Sequence, residues 1–335
     1  MKKSSLLAGA VGAVTGAVAY KGYRDYYRPG PLPAASEIDS YLDSLFVRMG
    51  LPGLRHQIEE DSIECKGDRL HLDVFPSDAS RRAIVFVPGT SLYALAYAEY
   101  MHKMRLLGFN VVGFDPRGHG RSGGRRGSYT LDTLLEDAAA VVGYAMDRFG
   151  DGVAISGSSQ GGIVSFYAAA ADERLDAAVC HNIGVMDEPS VYSISRWPNV
   201  SRFSSSLMPL AGLIPELRLP ISVYLDLAAE PTRFGMNALE FVKDDPLVVL
   251  AVALKALASL TSKPLPRPVE EIRVPVMVLQ AELDAMFTEA YTRGIYDRLT
   301  CDKEFLVVGG ASHLVLTNDV DAVVPEVAAF LNEHM

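Results

Sequence analysis

The sequence predicts an α/β protein with a mostly parallel central sheet and helices on both faces. Three observations carry that expectation. Continuous apolar runs such as Ala83–Val87 have the composition of strands buried on both sides. Segments with apolar residues at helical spacing, such as Leu131–Phe149, alternate with those runs. The stretch Val153-Ala-Ile-Ser-Gly-Ser-Ser-Gln-Gly-Gly162 passes from a strand pattern, through Gly157-Ser158-Ser159-Gln160-Gly161, into a helix pattern from Ile163.

Taken in order, residues 4–20 carry no charge. As a helix they span about 25 Å at ~1.5 Å per residue, marginal for a hydrocarbon layer of about 30 Å. An uncleaved membrane anchor is the favoured expectation, because Lys21-Gly-Tyr-Arg-Asp-Tyr-Tyr-Arg28 resembles an interfacial collar. Ala8, Gly12 and Gly16 also fall four apart, as close helix packing requires. The alternative is a signal cleaved near Ala17-Val18-Ala19 and export of the rest. A third reading is an Ala/Gly helix packed on the body. Pro31 and Pro33 make a linker, so 1–33 form one unit.

The strands His56–Cys65 and Arg69–Phe75 are expected to pair through Lys66-Gly67-Asp68. Buried strand Ala83–Val87 ends at Pro88-Gly89, followed by a helix over Leu92–Leu107 and strand Phe109–Phe114. Helix Leu131–Phe149, the Val153 strand with its helix, and strand Leu175–His181 continue the alternation. It resumes with strand Arg273–Leu279, a helix over Glu289–Leu299, strand Glu304–Val308 and helix Val320–Asn332. Residues 184–265 interrupt it, with Trp197-Pro198, Ser204–Ser206 and the apolar patches Leu207–Ile214 and Leu247–Leu260. They read as a helical cap above the carboxyl edge of the sheet, where open α/β sheets bind ligands. The core is then 34–183 with 266–335.

Composition narrows the function. With 49% apolar and 21% charged residues, the 335-residue chain is globular rather than disordered. A net charge of −10 argues against a nucleic-acid partner. Residues 1–30 nevertheless carry +4 and the remainder −14, which fits a membrane-facing end. Cys65, Cys180 and Cys301 are too far apart for a Cys-x-x-Cys metal site and odd in number for a disulfide framework. They fit a reducing compartment.

The Gly-x-Ser-x-Gly turn is sharp enough to place its serine in a strained conformation facing a cleft, and its flanking backbones nearly touch. Residues two before and two after must therefore be small. Ser159 has Gly157 and Gly161 there, whereas Ser158 has Ser156 and Gln160, so Ser159 is the candidate nucleophile. A serine hydroxyl needs a base. Of seven histidines, His313 is best placed, on a loop after Gly309-Gly310-Ala311-Ser312. His119 lies in a glycine turn, His181 at a strand end, and the others on helices or early strands. The base needs a carboxylate, for which Asp284 is the candidate, Glu282 its rival and Asp187 a weaker one. An oxyanion requires backbone N–H donors: Gln160 supplies one and Thr90, or else Ser91, the other.

These residues, in the order Ser159, Asp284, His313, are similar to the α/β-hydrolase superfamily across residues 50–335. The turn Asp115-Pro-Arg-Gly-His-Gly-Arg-Ser122 resembles that family's turn after the fourth strand. Leu217-Arg-Leu-Pro220 and Asp245-Pro-Leu-Val248 resemble the monoacylglycerol lipase and lysophospholipase (S33-like) branch. The chain departs from the pattern at Pro88, Ser158 and Gln160. Gly157-Ser-Ser-Gln-Gly-Gly162 is also similar to acetyl-ester hydrolases. The resemblance implies an α/β-hydrolase fold and a serine hydrolase of carboxylic esters that needs no metal or cofactor. The apolar insertion points to lipophilic esters such as a monoglyceride or lysophospholipid. The alternatives are a peptidase or amidase, a short-chain acetyl esterase, or a non-catalytic binding protein.

Overall fold

The computed structural model describes residues 31–150, 152–194 and 212–335. Strands β1 (Glu59–Cys65), β2 (Asp68–Phe75), β3 (Ala83–Val87), β4 (Asn110–Asp115), β5 (Val153–Ser158), β6 (Ala177–His181), β9 (Val276–Ala281) and β10 (Lys303–Val308) form one sheet. Its order is β1-β2-β4-β3-β5-β6-β9-β10. β1 and β2 run antiparallel to their neighbours and the rest are parallel. The β1–β2 hairpin closes on Lys66 and Gly67, both at positive φ (52° and 87°), in register Cys65↔Asp68. A two-residue turn of that handedness matches the strand twist.

The alternation of β3 divides the core. Ala83, Val85 and Val87 face helices α3 (Leu131–Phe149) and α4 (Gln160–Ala171). Ile84 and Phe86 face α1 (Ala35–Arg48), α2 (Ala98–Leu106) and the C-terminal helix Val320–His334. α3 begins where Thr130 caps it, the hydroxyl accepting the Thr133 N–H at 3.2 Å.

Some elements differ from the sequence reading. α1 was not anticipated: Ile38, Leu42, Leu45 and Phe46 form its buried stripe, beginning almost at once after Pro33. β1 starts at Glu59 because Leu54–Gln57 form a 3₁₀ turn. The helix after β3 opens as a 3₁₀ turn, Ala94–Tyr97, before becoming α-helical at Ala98. β9 begins at Val276, just past Pro275, which has no N–H to donate.

Between β6 and β9 the described part of the insertion contains short helices and a two-stranded antiparallel ribbon. Strands β7 (Arg218–Pro220) and β8 (Ala251–Ala253) pair in it, with helices α5 (Ala238–Val242) and α6 (Leu254–Ser259). The apolar run Leu247–Leu260 is thus split between strand and helix. Trp197 and Ser204–Ser206 lie outside the described residues. The insertion meets the sheet's carboxyl edge through backbone bonds from Val249 N–H to Ser91 (3.1 Å) and from Ala253 N–H to Gly127 (2.8 Å).

Residues 4–20, expected as an anchor or signal, also lie outside the described residues. Among those described, no helix is long and apolar enough to cross a membrane.

Candidate active site

Ser159 stands between β5 and α4 with φ 54° and ψ −116°, a region that costs a non-glycine residue of order 1–3 kcal/mol. The surrounding glycines explain how the turn closes. A Cβ on Gly157 would lie 2.1 Å from the Gly161 carbonyl oxygen, and one on Gly161 would lie 2.1 Å from that of Val87. Ser158 belongs to the strand, its Oγ 3.2 Å from His181 Nδ1.

His313 follows β10 and the turn at Gly310, which takes φ 71°. Its Nε2 lies 2.9 Å from Ser159 Oγ and its Nδ1 2.8 Å from Asp284 Oδ2. Phe287 stacks on the imidazole, 5.8 Å between centroids and 10° between planes. Asp284 is held in turn. Oδ1 accepts the Met286 and Phe287 N–H groups, both at 2.9 Å, and Oδ2 accepts Asn182 Nδ2 at 3.3 Å. Burial raises the pKa of this carboxyl, but the facing imidazole and these hydrogen bonds outweigh burial and bring it to about 2. The rival Glu282 is exposed and accepts the Gly310 N–H at 2.7 Å, a loop contact. Asp187 is exposed.

The loop after β3 closes on the serine. A Cβ on Gly89 would lie 3.7 Å from Ser159 Cβ. The N–H groups of Thr90 and Gln160 make no hydrogen bond to any described residue. The Ser91 carbonyl accepts Val249 N–H and so faces the insertion. The Tyr129 hydroxyl donates to Gln160 Oε1 at 3.2 Å, fixing that side chain.

Sequence reasoning passed over two residues. His181 is fully buried, its ring 5.3 Å from that of His313. Burial first, and His313 second, push its pKa down to about 3, so it is neutral. Asn182, at φ 69°, follows it and reaches Asp284. The only sequence signal was position: both end the strand beside the serine's own. Ligand-capable atoms of His181, Asp284 and His313 lie within 4.8 Å of one another, a spacing that follows from the Asp284–His313 hydrogen bond. The similar cluster Glu60, His71 and Asp73 already holds the Arg121 guanidinium, 2.7 Å from Glu60 and 2.6 Å from Asp73. In the turn after β4, Asp115 accepts the N–H groups of Ala94 (2.9 Å) and Arg121 (2.8 Å), while Arg117 pairs with Asp137 at 2.6 Å. Both hold loops.

A cavity of about 100 Å³ opens beside the site, with almost wholly apolar walls that include Leu92, Tyr97, Leu225, Phe241 and Val248.

A family model described as "Serine aminopeptidase, S33" matches residues 78–321. The chain belongs to this family. A monoacylglycerol lipase of Mycolicibacterium smegmatis is 25% identical to this S33 protein over 279 residues, covering 80% of this chain and 95% of the relative. The solved monoacylglycerol lipase of Paleococcus ferrophilus superposes with a TM-score of 0.65 at 21% identity, over 79% of this chain and 99% of its own. A soluble variant of monoglyceride lipase from Saccharomyces cerevisiae, solved with a substrate analogue, gives 0.66 at 17% identity, over 83% and 97%. At such identities the structural likeness establishes the α/β-hydrolase fold. With the family match, the S33 protein is a hydrolase of the esterase and lipase type.

Proposed function

We propose that this S33 hydrolase cleaves carboxylic esters of lipophilic acids through an acyl-enzyme on Ser159. The observation that carries the reading is the unbroken chain from Ser159 Oγ to His313 (2.9 Å) to Asp284 (2.8 Å). His313 Nε2 takes the hydroxyl proton as Oγ attacks the ester carbonyl. The ionised Asp284 fixes the tautomer with its proton on Nδ1 and stabilises the imidazolium. The tetrahedral oxyanion sits between the Thr90 and Gln160 N–H groups, each removal costing about 3 kcal/mol of barrier. His313 returns the proton to the leaving alcohol, and water repeats the sequence to release the acid. Every step is a proton or acyl transfer among these side chains and the substrate.

The apolar cavity supports a fatty acyl group, and the likeness to monoacylglycerol lipases supports a monoglyceride or lysophospholipid. Residues 34–183 and 266–335 serve as the catalytic core and 184–265 as a cap. Residues 4–20 tether the enzyme to the membrane that supplies such esters. A peptidase or amidase is the second reading, favoured by the description of the matching family. Fluorophosphonate labelling that vanishes in Ser159→Ala, with turnover on acyl esters far above that on matched amides, is the expected result. Labelling that persists in that variant, or amides turned over as fast as esters, defeats it.

A further inference from the structure

The walls of the apolar cavity include a charged pair for which ester cleavage has no use. These walls include Thr90, of the loop after β3, and Leu314, next to His313 in the chain, and they also include Glu99 and Arg233. Glu99 lies in the first turn of α2 with its side chain 10% exposed, and Arg233 comes from the insertion at 28%, so the pair sits where the cavity nears the surface. The carboxylate and guanidinium form a salt bridge.

Both partners are held from several sides. The Arg233 N–H donates to Asn318 Oδ1 at 3.1 Å, and its guanidinium lies 5.0 Å from the Phe234 ring and 3.5 Å from the Met49 carbonyl oxygen. Asn318 Nδ2 donates back to Pro231 at 2.8 Å. Glu99 also accepts Lys103 at 2.6 Å, and Lys103 bridges on to Asp321 at 2.7 Å. The core and the insertion are therefore pinned together at this point.

On the reading of Ser159 as nucleophile, an acyl chain on it would enter this cavity past Thr90, which forms part of its wall. To extend past the pair, its methyl end would have to part the two half-buried charges, leaving Glu99 to Lys103 alone and the Arg233 guanidinium to the Met49 carbonyl and the Phe234 ring, a loss that methylene contacts cannot offset. We propose that the Arg233–Glu99 pair is the end-stop of the acyl site and sets the longest acid the enzyme accepts. The proposal rests on the reading of Ser159 as nucleophile with the acyl group in this cavity.

The test uses the full chain, p-nitrophenyl esters of even-numbered saturated acids from acetate to palmitate, and a second series with one acid and varied alcohols. Wild-type kcat/KM should rise with acid length and then drop sharply. Arg233→Met keeps the side chain's length and its packing on Phe234 but removes the charge. It should move the cut-off to longer acids, with a gain of roughly tenfold or more for the first acid beyond it and short esters unchanged within about twofold. Arg233→Lys keeps a cation at Glu99 and should keep the wild-type cut-off. If Arg233→Met fails to fold, Glu99→Gln removes the pair from the other side, with the same shift expected. An unmoved cut-off, or a change confined to the alcohol series, overturns the end-stop. Loss of all ester turnover and of Ser159 labelling in the wild type would instead defeat the functional reading, and the end-stop with it.

Discussion

The carboxyl edge of the sheet and the insertion above it are built by different means. At the edge, Ser159, Asn182, Asp284 and His313 end or follow strands β5, β6, β9 and β10; the Asp284 contacts with Asn182 and His313 are buried and the Ser159–His313 contact is part-buried. The strands are in continuous parallel register, so the side chains cannot drift apart without breaking the ladder. The described part of the insertion has three-residue strands and helices of five and six residues. Part of its attachment is through charged side chains: Glu216 meets Arg125 of the core at 3.2 Å, and the Arg126 guanidinium donates to the Pro246 carbonyl at 3.1 Å. On the proposed function, the difference predicts that chemistry rests on backbone pairing and selectivity on separable side-chain contacts. Substitutions at the edge should destroy turnover, and substitutions in the insertion should retune it.

The largest effects should come from the edge. Ser159→Ala should lower kcat on the order of 10⁶-fold with the melting temperature kept or raised, since the strained position loses only a hydroxyl. Asp284→Asn should cost about 10⁴-fold, because an amide N–H facing Nδ1 favours the wrong tautomer. Glu282→Gln, two residues away, should leave kcat within about threefold, since surface changes rarely matter more. Equal losses at 282 and 284 would show that the edge does not place one carboxylate, and the contrast with the insertion would go.

Asn182 offers a finer probe. Its positive φ of 69° means that Asn182→Gly keeps the backbone and removes only the amide that donates to Asp284. Loss of one hydrogen bond to a charged group, about 1.5–3 kcal/mol, predicts a fall in kcat of roughly 10- to 100-fold. KM should hold, because the amide touches no substrate. A rise in KM alone would assign Asn182 to the binding surface.

This residue also marks what the sequence could and could not disclose. The bounds of β3 and of α3 are local facts that apolar runs suffice to read, and the proposal of Ser159 over Ser158 likewise rests on local features, its small neighbours. Asn182 and His181 matter because β6 lies between β5 and β9, and strand order is set by packing across the whole sheet. No periodicity near residue 181 encodes it. The β7–β8 ribbon is likewise invisible to pattern, since three residues are too few to display an alternation and its two strands are separated by thirty positions that include α5. α1 was legible in its stripe of Ile38, Leu42, Leu45 and Phe46, and was obscured by the prolines just before it.

Buried histidines give the edge a pH signature. His181 falls from an ordinary 6.5 to about 3, and His119 to about 4, burial being the main cause in each. Both are neutral when folded and take up protons on unfolding as pH drops below 6.5. Stability is therefore expected to fall with pH from about 6.5 towards 3–4, by ~1.4 kcal/mol per pH unit for each histidine. His181→Gln should flatten the slope of melting temperature against pH over that window. An unaltered slope would mean that the edge is less tightly sealed around position 181 than its burial indicates.

The smallest effect should lie in the insertion, at Glu216. Its side chain is 34% exposed and its partners Lys255 and Arg125 are 34% and 65% exposed, so water screens both pairs. Exposed pairs contribute between nothing and about 1 kcal/mol. Ser128 Oγ adds a hydrogen bond at 2.9 Å that Gln can still accept. Glu216→Gln is accordingly expected to lower stability by roughly 0.5 kcal/mol, and by less as salt approaches 1 M, where screening acts over about 3 Å. Denaturant unfolding at low and high salt measures this directly. A loss above about 2 kcal/mol that persists in salt exceeds what exposed pairs supply. It would mean that the insertion is welded to the core as firmly as the strands are to one another, and the division between a rigid edge and a tunable cap would fail.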